Sequence, residues 1–86
     1  MALTKYQLRA LRAADIGAVG NRVQAAIDLA GETQTSLAKA IGLPYTYVSD
    51  TARGRYQTIT VENARKFAEF FGCAIEDLFP SREAVA

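Results

Sequence analysis

Residues 34–52 carry apolar side chains at helical spacing on both sides of one glycine, and this pattern constrains the fold most. Leu37, Ala38 and Ile41 line one face of a short helix over 34–41, with Thr33 as its N-cap. Gly42 stops that helix, and Leu43 follows as a core plug. Pro44 opens a second short helix that ends near Arg53. Proline suits this place because an N–H in the first helical turn has no helical acceptor to lose. Val48 and Ala52, four residues apart, face inward, and Gly54 closes the helix.

The rest of the chain reads as helices that flank this pair. Thr4 and Gln7 form a capping box for a helix over 5–14, with Tyr6, Ala10, Ala13 and Ala14 along one side. Residues 15–17 interrupt it. A helix over 18–30 follows, with Val19, Val23, Ala26, Ile27 and Ala30 on its apolar face, and Gly31 ends it. After a loop from Arg55 to Ile59, Thr60 caps a helix over 61–71 that turns Val61, Ala64, Ala68 and Phe71 inward. Ile75, Leu78 and Phe79 belong to a last short helix that Pro80 terminates, and residues 81–86 are expected to form a loose tail. Thr58 to Val61 is briefly β-like, but too short and isolated to make a sheet. The fold class is therefore all-α.

Composition narrows the function. The chain of 86 residues has room for one small core. It holds one cysteine, Cys73, and no histidine, which removes an internal disulfide, the commonest general base and any ordinary zinc site. No glycine-rich phosphate loop is present, so neither an enzyme nor a cofactor or metal site is expected. No apolar run reaches the ~20 residues of a membrane span, and the N-terminus lacks a signal-peptide core. A reducing cytoplasm is the natural setting and no membrane partner is expected. The net charge is only +1, but Arg53 and Arg55 sit beside the second short helix while Glu62, Glu69, Glu76 and Asp77 come later. Screening cuts surface fields off over ~8 Å, so a local basic face can coexist with a neutral total. Cys73 and the rings of Phe67, Phe70, Phe71 and Phe79 suit a core or an interface.

Gln34, Leu37, Ala38, Ile41, Gly42, Leu43, Tyr47 to Asp50, Arg53 to Arg55, Ala68, Phe71, Gly72, Leu78 and Phe79 recur in an order and spacing that resembles the Cro/C1-type (XRE) helix-turn-helix family. The resemblance covers residues 19–79. It implies a five-helix, lambda-repressor-like helix-turn-helix domain over 18–80, with residues 1–17 as an extra N-terminal helix and 81–86 as a flexible tail. It also implies a phage or bacterial transcriptional regulator, most simply a repressor that occupies an operator. An antitoxin of a toxin–antitoxin pair uses the same domain, and an interaction module that has lost DNA binding is a rival from another class.

Position by position, the resemblance places base reading on Tyr45, Thr46, Ser49 and Asp50. These positions share one helical face, away from Val48 and Ala52. Asp50 is the awkward member, since phosphates repel a carboxylate, although it can accept from cytosine N4. Phosphate contacts fall on Thr33, Gln34, Tyr47, Arg53, Arg55, Tyr56 and Gln57. Three features depart from the family pattern. An Arg–Glu pair common in the family is replaced by Ile27 and Ala52, and losing both ions together avoids stranding one. Pro44 has no side-chain oxygen with which to cap its helix. The loop from Arg55 to Ile59 is one residue longer than the common form. The expected partners are double-stranded DNA, a second copy of the chain in a homodimer or higher oligomer, and a regulatory protein such as an antirepressor or toxin. The extra helix either covers the domain's own core or takes part in oligomerisation; the assembly favoured here has this helix, or else the C-terminal helix and tail, at its interface.

Overall fold

The computed structural model describes residues 2–56 and 58–86. Its helices are α1 (Lys5–Ala13), α2 (Val23–Ala30), α3 (Gln34–Ile41), α4 (Tyr45–Ala52), α5 (Val61–Phe71) and α6 (Ile75–Leu78), and a 3₁₀ turn, Arg82–Ala84, follows. The caps act as their sequences require. Thr4 Oγ1 accepts from Gln7 N at 3.2 Å and Gln7 Oε1 accepts from Thr4 N at 2.8 Å, closing the capping box of α1. Thr33 and Ser36 do the same for α3, and Thr60 Oγ1 accepts from Asn63 N at the start of α5. Gly42 takes the left-handed conformation after α3, with φ 73°, and turns the chain into α4.

The core gathers one stripe from each helix. Leu11, Val23, Ile27, Leu37, Val48, Phe67, Phe71 and Leu78 are its largest fully buried side chains. Phe79 meets Phe67 edge-on, with ring centroids 6.2 Å apart. Ile27 and Ala52 are both buried in this cluster, and α2 packs against α4. Cys73 packs half-buried against the same cluster. Burial, and next the charge of Asp77, push its thiol up to about 11.

Four expectations need correction. Residues 18–22 are not helical. Gly20, at φ 82°, ends a turn in which its N–H donates to Ile16 O at 3.0 Å, and Asn21 Oδ1 then accepts from Val23 N to start α2. Val19 is consequently 40% exposed rather than on the apolar face of α2. Tyr6 is 80% exposed, because α1 turns Leu8 and Leu11 inward, with Leu3 ahead of the helix, and leaves Ala10 and Ala13 outside. Val61 lies at the exposed start of α5, and the buried face of that helix begins at Ala64 and includes Phe67. The tail is tied down. Ile59 N donates to Ala84 O at 2.7 Å, and Ile59 O and Ala86 O accept from Ala86 N and Val61 N, both at 2.9 Å. The β-like stretch around Ile59 thus pairs in parallel with Val85 rather than standing alone.

Helix α1 covers its own domain. Leu3 N donates to Phe71 O and Gln7 Nε2 to Leu29 O, each at 2.7 Å. Arg12 grips Asp77 through Nε at 2.9 Å and Nη2 at 3.4 Å. The hydrogen bond from Arg12 holds the Asp77 carboxyl below its usual range, with a further bond from Ala74 N acting the same way. Arg22 ties the same corner by donating to Ala14 O and Asp77 O.

A Cβ on Gly54 would sit 2.5 Å from Val19 O at φ +75°, whereas Gly31, at φ +69°, faces open space. Gly31→Ala should therefore cost only the left-handed strain of about 1–2 kcal/mol in urea unfolding. Gly54→Ala should cost about 1–3 kcal/mol more, because backbone must move. For Arg12→Ala, stability at neutral pH should fall below that of the parent. Asp77 titrates lower when folded, so its contribution is present above the unfolded value and lost below it. The gap should close as pH drops from about 3.8 through the lower folded value, and added salt should narrow it. Cys73 should resist a thiol reagent at pH 7 in the folded protein and react at the rate of a free thiol in denaturant.

Candidate nucleic-acid interface

The chain turns from α3 into α4 so that the start of α4 stands clear of the core. Pro44 opens α4 without a side-chain cap, which leaves the first-turn N–H groups without a side-chain acceptor. Tyr45 and Thr46 at this end are exposed. The expected reading face then divides. Ser49 is only 6% exposed, so it lies against the body of the protein rather than beside Tyr45 and Thr46 on an open face. Asp50 is half-buried, and its Oδ1 lies 3.5 Å from Arg55 Nη1.

The burial on α4 is wider than one stripe. Val48, Ser49, Thr51 and Ala52 are all buried, because α3 packs along the helix and the turn before α2 holds its end. Asn21 Nδ2 donates to Thr51 O at 2.8 Å, and Thr51 Oγ1 donates to Tyr47 O at 2.7 Å. A periodicity reading keeps Ser49 outside because its spacing shares a face with Tyr45 and Thr46. The turn that encloses this end is formed by residues distant in sequence.

The expected phosphate contacts sit around this helix. Thr33 is exposed, although its hydroxyl already accepts from Ser36 N at 3.0 Å. Gln34 Nε2 donates to Gln24 Oε1 at 2.8 Å, and Gln24 Nε2 donates to Asp28 Oδ1 at 2.9 Å, so Gln34 is held from behind. Arg53 and Arg55 are exposed just beyond α4. The pair between Arg55 and Asp50 is open to water, and exposed pairs are weak enough to exchange one anion for another. Tyr47 is half-buried and its ring lies 5.2 Å from that of Tyr56, tilted by 30°. Asn63, at the third position of α5, donates through Nδ2 to Tyr47 OH at 3.1 Å. Neither Asn21 nor Asn63 stands out in the sequence, since asparagine near a helix start reads as an ordinary capping residue. Gln57 lies outside the described residues.

Among the described residues no group of histidine, cysteine and acidic side chains is placed to hold a metal ion. No helix among them is long and apolar enough to cross a membrane.

A helix-turn-helix family model matches residues 23–78, which run from the first residue of α2 to the last of α6 and leave α1 and the tail outside. No curated protein and no solved structure matches the chain. The matched segment places the paired helices α3 and α4 at the centre of a domain type that binds DNA. The chain belongs to the helix-turn-helix family of DNA-binding regulators, in its Cro/C1-type (XRE) branch.

Proposed function

We propose that the protein is a sequence-specific binder of double-stranded DNA that represses transcription by occupying an operator. The observation that carries this reading is the exposed start of α4, where Tyr45 and Thr46 project beside first-turn amides that no side chain caps. A major groove is wide enough to admit such a helix, and base edges are read there. Tyr45 and Thr46 are the principal readers. Ser49 reaches a base only on close approach of the whole domain, and Asp50 selects mainly by repelling unsuitable sequences.

Affinity comes from the surroundings of the helix. Arg53 and Arg55 neutralise phosphates, and Thr33, Gln34, Tyr47 and Tyr56 add polar contacts to the backbone. When Arg55 meets a phosphate, Asp50 gives it up. A homodimer fits this function, because two-fold binders read half-sites about one helical turn apart. The Leu8 and Leu11 side chains of α1 pack against the domain's own core, so α1 can offer a partner Tyr6, Ala10 and Ala13 but no leucine surface.

A gel shift on the DNA upstream of the gene, run over a salt series, tests the proposal. Affinity should fall by about 0.9 log units per log unit of salt for each phosphate neutralised. Arg53→Ala should weaken binding to every sequence and reduce that slope by about 1. Tyr45→Ala should leave the slope unchanged and lower the preference for the specific site over random DNA by about tenfold. Binding unaffected by either change places the interface elsewhere.

A further inference from the structure

Tyr47 is joined to two elements outside its own helix. Asn63 Nδ2 on α5 donates to its hydroxyl at 3.1 Å, and the Tyr56 ring from the following loop leans on its ring at 5.2 Å. A phenol oxygen that accepts a hydrogen bond keeps its own proton to donate. Among the described residues none accepts that proton. Asn63 therefore bridges α4 and α5 through an oxygen that can still donate. With the Asn63 amide N–H donating to the oxygen, the O–H remains free to act as a donor. A phosphate oxygen accepts and cannot donate, so this is the polarity that backbone binding requires.

We infer that Asn63 is a positioning residue for DNA binding, holding the Tyr47 hydroxyl as an outward donor to a phosphate oxygen while Tyr56 fixes the plane of the ring. The inference rests on the proposed DNA reading and assigns a function to a residue of α5 that is hydrogen-bonded to the Tyr47 hydroxyl of α4. The Asn63 backbone N–H separately donates to Thr60 Oγ1 at 3.2 Å, which anchors its backbone at the start of α5. The Tyr47 backbone is anchored as well, through the bond from Thr51 Oγ1 to its carbonyl. Both partners are thus held in place by contacts independent of the one between them.

A double-mutant cycle in the full chain tests this. The variants are Tyr47→Phe, Asn63→Asp and the two combined, with affinity for the specific DNA and thermal midpoint measured for each. Aspartate keeps the shape of asparagine but replaces the amide donor with an acceptor, which captures the Tyr47 proton. It also adds a negative charge, whose effect appears in both backgrounds and cancels in the cycle. Tyr47→Phe should lower affinity about ten- to hundredfold, the usual effect of losing a hydrogen bond to a charged group. Asn63→Asp should lower affinity more in the parent than in the Tyr47→Phe background, by that same factor. Because the Tyr47 proton bonds the introduced carboxylate in that variant, the cycle in thermal midpoint should show no matching loss.

Equal effects of Asn63→Asp in the two backgrounds overturn the inference. So does a coupling in affinity that the loss in thermal midpoint accounts for, which makes Asn63 a purely structural residue. Arg53→Ala keeps the two levels of argument apart. If it weakens DNA binding while the cycle shows no coupling, only the role of Asn63 falls. If the parent protein binds no DNA, the DNA reading falls and the inference with it.

Discussion

An eight-residue helix such as α4 does not hold itself together in water, because nucleating a helix costs more than so few backbone bonds return. Its conformation depends on what it buries. Val48 and Ala52 lock it into the core, and the turn before α2 clasps its last residues through Asn21 and Thr51 O. The same arrangement leaves the first turn free. A helix anchored at its far end and open at its near end presents Tyr45 and Thr46 without losing its position. The remaining features of the candidate interface, from the Asp50–Arg55 pair to the Tyr47–Tyr56 contact, surround this anchored helix.

The anchoring is apolar where the family often uses ions. Ile27 and Ala52 stand where a buried Arg–Glu pair is common, and both are buried in the one cluster. Removing both charges avoids the cost of an unpaired buried ion and the large desolvation cost of a pair. The ionic contact that the fold does keep is at its edge. Arg12 and Asp77 join α1 to α6 where Arg12 is largely in water, so the pair directs the docking of α1 more than it stabilises the domain.

Two segments outside the family match serve the matched domain. Helix α1 and Leu3 close the face over Phe71 and Leu29 through apolar contact and backbone bonds. The tail pairs with Ile59, which steadies the chain between the two exposed arginines and α5. That loop carries Tyr56 to Tyr47, so the tail bears indirectly on the candidate interface.

Local chemistry made much of this legible in advance. The capping box at Thr4, the N-cap at Thr33, the stop at Gly42 and the inward Val48 and Ala52 depend on residues within four positions of one another, and each is found where the sequence places it. The errors share a different cause. The stretch at residues 18–20 reads as helix because Val19 and Val23 are spaced for one, yet Gly20 turns the chain and Gly54 leaves room for it to pass close by. Ser49 reads as exposed because its spacing puts it on one face with Tyr45 and Thr46, and it is buried by packing around α4. Residues 81–86 read as loose because their partner, Ile59, lies more than twenty residues earlier. The sequence by itself determined which segments are helices around the Gly42 turn and which family they compose. Only the tertiary structure decided how much of α4 remains open to a ligand and which neighbours hold Tyr47 and Gln34, because those contacts join residues that no local periodicity connects.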